Sequence, residues 1–352
     1  MKGDNPMKRE KSNKQMGSGW PMKAPSLSRR SVVAAGVLAP VAGLLPPGIA
    51  SGQQFDGSVR LVVANPAGGP LDIVARSIAD FLAAKWKQTV LVDNRPGGNG
   101  IIAANYVAKA KPDGQTLLMT ATYSESILPY AAEKLPYNAE KDFIPVTEIA
   151  RVGFVLLVPG ASSIRTFQDF VEQARSSSKP LSVGGLGKGS SLHLAWELIK
   201  KGANLRNIEY IPYISSGQAQ TDLMGGQLNL LVDTFGSARA FIESGRVRAI
   251  AITSTNRSAQ LPSVPTLDES GLKGFEIFPW IGLVAPAGVA PDRVLSIQVA
   301  VAEALANPIV RGRLTQFGFT PVGNTPTEMA KTIKSERSRF APLVKELGIS
   351  LQ

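Results

Sequence analysis

From Val59 onward the chain repeats one pattern. A short apolar run enters a turn rich in Gly, Ser or Pro and leaves as a segment whose apolar residues recur every three or four positions. Strand-like runs alternating with helix-like periods predict an α/β architecture with mainly parallel sheets. In the first unit VRLVVA leads to DIVARSIADFLAAKW, where Ile73, Val74, Ile78, Phe81, Leu82 and Trp86 fall on one helical face. TVLVDN then leads through RPGGNG to IIAANYVAKAKPDG, and QTLLMT leads through ATYSES into an irregular stretch around PYAAEKLPYNAEKD.

FIPVTEIARVGFVLLVPG is strand-like, and after it the alternation restarts. TFQDFVEQARSS, SLHLAWELIKKG, GQAQTDLMGG and ARAFIESG read as helices; PLSVGG, IEYIPY, LNLLVD and RVRAIAITS read as strands. A Pro-rich connection, LPSVPTLDESGLKG, leads to WIGLVAPAGVAP and a helical tail. Two such blocks predict two lobes, with the chain crossing near 149–159 and again near 279–286. That assigns 53–152 plus 281–352 to lobe one and 153–280 to lobe two. Ligands of open α/β sheets sit beyond the carboxyl ends of the strands, so the expected site is the cleft between the lobes.

Composition narrows the chemistry. The 352 residues include no cysteine and a single histidine, His193, which excludes thiolate and His-cluster metal sites. The formal net charge is +11, but residues 1–50 hold eight Lys and Arg against two acids, 8 − 2 = +6, leaving 11 − 6 = +5 for the rest. Those remaining cations are scattered, so a nucleic-acid partner is not expected. Residues 1–50 themselves have the layout of a cleavable export signal. Arg29–Arg30 precede an apolar run from Val32 to Leu45 and a small-residue site near Ala50, an arrangement of the twin-arginine kind. The run is too short for a membrane span of about 20 residues, so a periplasmic protein is expected, with Met1 or Met22 as its start.

Four loops carry candidate binding chemistry. In NPAGGPLD, Gly68 and Gly69 permit a tight turn, Pro70 suits the first helical position, and Asp72 can complement the helix end or bond back to the loop. Backbone N–H groups at a helix N-terminus make an anion site. SVGGLGKGSSLHL repeats the design, with Ser190 and Ser191 placed to cap a helix and His193 in its first turn. Ser215, Ser216, Gly217 and Gln218 precede a third helix, and Asp233 and Thr234 end a strand. No loop matches a nucleotide-binding motif: Gly187-Lys188 is followed by Gly189 where Ser or Thr is required, and GGNGIIA lacks an acidic residue at the end of the next strand. The pattern suits a reversible grip on a small carboxylate by neutral donors.

Five segments, in order and spacing, resemble the solute-binding proteins of tripartite tricarboxylate transporters, the Bug family. They are NPAGGPLDIVAR, DNRPGGNGIIAANYVAKAKPDGQTLL, GGLGKGSSLHLAWELI, IPYISSGQAQTDLMGGQLNLLV and LPSVPTLDESGLKGFEIFPWIGLVAPAGVAP. The resemblance implies a two-lobed periplasmic-binding-protein fold of the type II, Venus-flytrap kind. It implies a monomeric receptor, not an enzyme, that needs no cofactor. The ligand would be a di- or tricarboxylate, an acidic amino acid or an aromatic acid, delivered to a two-subunit inner-membrane permease. It implies that Ala67, Gly68, Gly69 and Asp72 line the site from lobe one, with Tyr123 and Ser124 nearby. From lobe two it implies Gly187, Ser190, His193, Ser215, Ser216, Gly217 and Asp233. Lys188, Tyr123 and Leu128 depart from the family pattern and leave the ligand's second end unassigned. Two other readings use the same residues: a sensor subunit for a membrane kinase, and an exported hydrolase with Ser190 or Ser191 and His193.

Overall fold

The computed structural model describes residues 55–350; the expected export signal lies outside them. Along the chain the strands are β1 (Val59–Val63), β2 (Val90–Asn94), β3 (Thr116–Ala121), β4 (Phe143–Arg151), β5 (Phe154–Pro159), β6 (Leu181–Leu186), β7 (Ile208–Tyr213), β8 (Leu230–Thr234), β9 (Val247–Ile252), β10 (Trp280–Pro286) and β11 (Thr320–Pro321). The helices are α1 (Pro70–Trp86), α2 (Ile101–Ala108), α3 (Leu128–Ala131), α4 (Phe167–Ser176), α5 (Ser191–Gly202), α6 (Ser216–Met224), α7 (Phe235–Glu243), α8 (Pro291–Ala306), α9 (Pro308–Gln316) and α10 (Pro326–Glu346). A π-helical turn, Tyr123–Ile127, stands where the sequence reads as an irregular turn.

The strands form a six-stranded sheet in the order β11-β4-β10-β3-β1-β2 and a five-stranded sheet in the order β7-β6-β8-β5-β9. The expectation of mainly parallel sheets is corrected, because both are mixed. β1 runs parallel to β2 and β3, and β6 parallel to β7 and β8. β10 is antiparallel to β3 and β4, and β5 is antiparallel to β8 and β9. Helical crossovers make parallel neighbours. β5 and β10 are instead reached directly from the other sheet. They enter at the end where β3 and β8 finish, so they run the opposite way.

Each sheet buries its own core. Val74, Ile78 and Leu82, on the helical face expected from the sequence, pack with Leu61, Ile297 and Val301 on the first sheet. On the second, Phe170, Trp196 and Ile199 pack with Leu156, Val183 and Leu230. The two sheets pass the chain between them at Val152–Gly153 and again before Trp280, where the Val152 N–H donates to the Pro279 carbonyl at 2.9 Å. The units also touch on both flanks. On one, Leu194 of α5 joins Ile127, Phe340 and Leu343. On the other, the Arg239 guanidinium donates to the Gln316 carbonyl at 3.2 Å and the Gln260 amide to the Thr315 carbonyl at 2.8 Å.

Every residue of β10 is buried, and Gly282 marks its tightest point. A β-carbon there would lie 2.7 Å from the Thr147 carbonyl oxygen and 2.9 Å from Met329 Cε. Gly282→Ala is therefore expected to cost about 1–3 kcal/mol through overpacking. Urea unfolding measures this; an unchanged midpoint would mean that strand and helix shift apart freely.

Candidate ligand-binding site

The first candidate loop joins β1 to α1. Pro70 opens the helix, as the sequence predicts, and Gly68 takes a left-handed φ of 82° that a side chain would strain. Asp72 is 2% exposed. Its carboxylate accepts the Gly68 N–H at 2.8 Å, the Arg76 Nε at 2.9 Å and the Asn94 amide at 2.9 Å. Burial opposes its charge, but Arg76, Gly68 and Asn94 outweigh burial and hold the carboxyl below the usual carboxylate range. Asp72 thus shapes the loop from inside, while Ala67 and Gly68 are exposed and Gly69 is half-buried.

Ser124 comes to the same place from the end of β3. A β-carbon on Gly100 would sit 3.4 Å from both Ser124 Oγ and Ala64 Cβ, so the GGNG turn, the end of β1 and the π-helical turn converge. Tyr123 packs partly buried against the Leu194–Phe340 cluster between the two units. Burial pushes its hydroxyl up to about 12.

On the second sheet three strand ends feed three helices. Ser190 caps α5, accepting the His193 N–H at 3.2 Å and donating to the Leu186 carbonyl at 2.9 Å. His193 is buried, and its Nδ1 accepts the Gly189 N–H at 3.1 Å. That bond places the ring proton on Nε2, which faces Glu197 at 3.8 Å. The ring packs on Tyr210 with centroids 4.5 Å apart. Burial lowers its pKa, partly offset by Glu197, with Lys188 and Lys200 lowering it further. Gly187 and Lys188 are exposed at the tip of this loop.

Ser215 caps α6, accepting the Gln218 N–H at 3.4 Å. Ser216 donates its hydroxyl to Asp233 at 2.9 Å, joining the ends of β7 and β8. Asp233 is 2% exposed and also accepts from the Gln220 amide at 2.7 Å and the Thr234 N–H at 2.8 Å. Burial raises its pKa, and the hydrogen bonds from Thr234, Gln220 and Ser216 only partly offset that. Ser215 and Gly217 are exposed beside it. The candidate residues thus divide in two. Asp72, His193 and Asp233 brace their own loops, Ala67, Gly68, Gly187, Ser215 and Gly217 present the surface, and half-buried Ser190 and Ser216 stand between the two groups.

The bracing also bears on the nucleophile reading. The Ser190 hydroxyl donates to a carbonyl, and His193 Nδ1 already accepts a backbone N–H, so a Ser190–His193 pair of the hydrolase kind is not formed. Among the described residues no cluster of three or more His, Asp or Glu is arranged for a metal ion. A cavity of about 440 Å³ opens beside the first loop, lined by Ala67, Gly68, Asp72, Arg76, Arg313 and Phe317 among others. A larger one of about 560 Å³ lies under α10, lined by Glu125, Tyr130, Phe143, Ile333 and Arg337 among others. Size alone would favour the second, which reaches Glu125 on the turn after β3; the first opens against the loop between β1 and α1.

Two mixed sheets with helix N-termini gathered at their strand ends define a solute-binding protein of the periplasmic type. The model of the tripartite tricarboxylate transporter family receptors matches residues 74–349. A protein of the tcbD-tcbE intergenic region of Pseudomonas sp. (strain P51) is 35% identical over 319 residues, covering 89% of this chain and 94% of its own. Among solved structures, R. palustris Rpa4515 with adipate aligns with a TM-score of 0.73 at 32% identity, covering 84% of this chain and 98% of its own. MatC from Rhodopseudomonas palustris with bound malate aligns with a TM-score of 0.68 at 31% identity, covering 82% and 99%. The chain belongs to the tripartite tricarboxylate transporter receptor family, whose members are solute-binding receptors rather than enzymes.

Functional geometry that local patterning misses lies in long-range partners. Thr122, Glu125 and Ser126 are gripped by α10, with Glu336 bonded to Thr122 across 214 positions. No periodicity signals such a contact.

His193→Ala is expected to leave the Gly189 N–H without its acceptor and to cost about 2 kcal/mol. The ring's folded pKa lies below its ordinary 6.5. Its stabilisation is therefore complete above that value and fades as pH falls through the lowered one. Urea unfolding of both proteins from pH 8 to 5 should show the gap between them narrowing toward acid; a constant gap would mean the ring does not titrate with folding.

Proposed function

We propose that this receptor captures a small carboxylate in the periplasm and hands it to the two-subunit membrane permease of a tripartite tricarboxylate transporter. The observation that carries the reading is that four helices begin directly after strands, with their first turns braced. α1, α5, α6 and α7 follow β1, β6, β7 and β8, each with its first turn braced from within. What remains exposed there is mostly backbone and hydroxyl, a neutral donor surface at positive helix ends, suited to an anion that must later leave. Adipate in Rpa4515 and malate in MatC support the ligand class.

In this reading Ala67, Gly68, Gly69, Tyr123 and Ser124 meet the ligand from lobe one, 53–152 plus 281–352. Gly187, Ser190, Ser215, Ser216 and Gly217 meet it from lobe two, 153–280. Asp72, His193 and Asp233 hold those loops in shape. Residues 1–50, with Arg29–Arg30 ahead of an apolar run, direct export and are then removed. The receptor works as a monomer, and closure around the ligand forms the surface that the permease reads.

Thermal unfolding against adipate, malate, citrate, succinate, aspartate, glutamate, benzoate and terephthalate, with phosphate and NAD as controls, tests the ligand class. A ligand at about a hundred times its dissociation constant adds about 2.7 kcal/mol, a shift of several degrees. Stabilisation by phosphate or NAD alone would overturn the carboxylate assignment. Asp72→Ala should then weaken the carboxylate found by about ten-fold or more, about 1.4 kcal/mol, with circular dichroism unchanged. Full affinity in that variant would remove the first loop from the site.

A further inference from the structure

α10 runs along the first sheet and turns two adjacent side chains onto the π-helical turn Tyr123–Ile127. Glu336 Oε1 accepts from the Thr122 hydroxyl at 3.2 Å. Its Oε2 accepts from the Ser126 hydroxyl at 3.0 Å and from the Trp280 indole at 2.8 Å. The Thr122 hydroxyl in turn accepts the Trp280 backbone N–H at 3.0 Å. Arg337 grips the turn again, its Nε donating to the Glu125 carbonyl at 2.7 Å and its Nη2 to the Ala139 carbonyl at 3.0 Å. The Glu125 carboxylate, also buried, accepts from Thr120 at 3.0 Å. Single π-helical turns are rare and frequently lie at functional sites.

Trp280 stands at a mechanical crossing. It is the first residue of β10, fully buried, and pairs in register with Arg151, the last residue of β4. Beside that pair the Val152 N–H meets the Pro279 carbonyl, where both strands pass between the sheets. One carboxylate therefore touches the crossing and the turn that carries Tyr123 and Ser124.

We propose that Glu336 is a positioning residue that couples the turn Tyr123–Ile127 to the crossing at Trp280, so that movement of one is transmitted to the other. This rests on the reading of Tyr123 and Ser124 as ligand-facing. When the sheets close on a solute, the crossing strands rotate, and Glu336 carries the turn with them through Trp280, Thr122 and Ser126. The ligand-facing groups and the hinge then occupy matched positions, open or closed.

Arg151 faces the Glu336 carboxyl and is itself flanked by Glu148 on β4 and Glu276 ahead of β10, while on the turn Glu125 faces Arg337 of α10 and Tyr137 beyond it. Burial pushes Glu336 up to about 7, with the bonds from Trp280, Ser126 and Thr122 and the charge of Arg151 opposing it. Burial likewise pushes Glu125 up to about 7 against Arg337 and Thr120. A carboxyl that keeps its proton to about pH 7 when folded, and only to its ordinary 4.5 when unfolded, stabilises the fold at acid pH. That contribution is lost as pH rises across the window between them.

The test uses the unliganded protein. The sequence has four tryptophans, so indole N–H signals in a 15N spectrum are few, and Trp280→Phe identifies the one bonded to Glu336. In the wild type that signal is expected to move with a midpoint of about pH 7; in Glu336→Gln it should stay fixed, with Glu125→Gln retaining the movement. Hydrogen exchange should accelerate by at least about ten-fold in Glu336→Gln at residues 122–128 and 278–281 together. Ile333→Val, a core change on the same helix, should leave both the signal and the joint response alone. Should Glu336→Gln not fold, Trp280→Phe, which removes the indole donor, is expected to loosen residues 122–128 in the same way. Faster exchange in one segment alone, or uniform loosening across the chain, would overturn the coupling. The readouts need no solute, so a receptor that binds no tested carboxylate would sink the ligand assignment without touching this result.

Discussion

β10 holds the first sheet together. It arrives from the second sheet, runs between β3 and β4, and hydrogen-bonds to both. Without it β11 and β4 would separate from β3, β1 and β2. Its seven residues are all buried, and Gly282 lets the Thr147 carbonyl and Met329 approach the backbone closely. The constraint is one of chain path as much as packing. A strand that must return from another sheet enters at the end where the parallel strands finish, and so the two sheets are mixed.

That same end is where the candidate loops lie, which explains how they are stiffened. A loop of glycines at a helix start offers donors to a ligand only if it does not collapse onto itself or stay disordered. Each unit meets this with buried polar side chains. Asp72 takes the Gly68 N–H, His193 takes the Gly189 N–H, and Asp233 gathers Ser216, Gln220 and Thr234. Their charge environments differ. Arg76 stands against Asp72 and keeps it ionised, whereas Asp233 has neutral donors and a raised pKa. A braced loop keeps its exposed backbone pointing outward, which lowers the ordering cost of binding.

The flanks join these loops to the rest of the molecule. α5 and α10 meet through Leu194, Phe340 and Leu343 on one side, and α9 meets α7 through Arg239 and the Gln316 carbonyl on the other. Glu336 adds a polar link beneath the first of these contacts. Apolar contacts of this kind can slide, but a carboxylate with three directed donors has one good geometry.

Local periodicity and turn chemistry determined much of this. The helical face of α1, Pro70 at its start, Ser190 and Ser215 as caps, and the strand–turn–helix order all follow from neighbours within a few positions. The motifs also carry the family, because they are short and ordered along the chain. Asp72 bonding back to its loop was legible as one of two roles, since four residues separate it from Gly68. Strand direction was not legible: a parallel neighbour comes from a local crossover, but β5 and β10 owe their direction to a path between sheets. The short strand β11, the helix α9 and the π-helical turn were also missed, each held by partners distant in sequence. His193 reads as a possible ligand contact, and the fold adds what the sequence does not show, that its Nδ1 already accepts the Gly189 N–H. Sequence by itself thus determines most of the segments that become strands, helices and capped loops. Tertiary structure alone decides which polar atoms are already satisfied, because hydrogen-bond partners such as Glu336 and Thr122 are brought together only by folding.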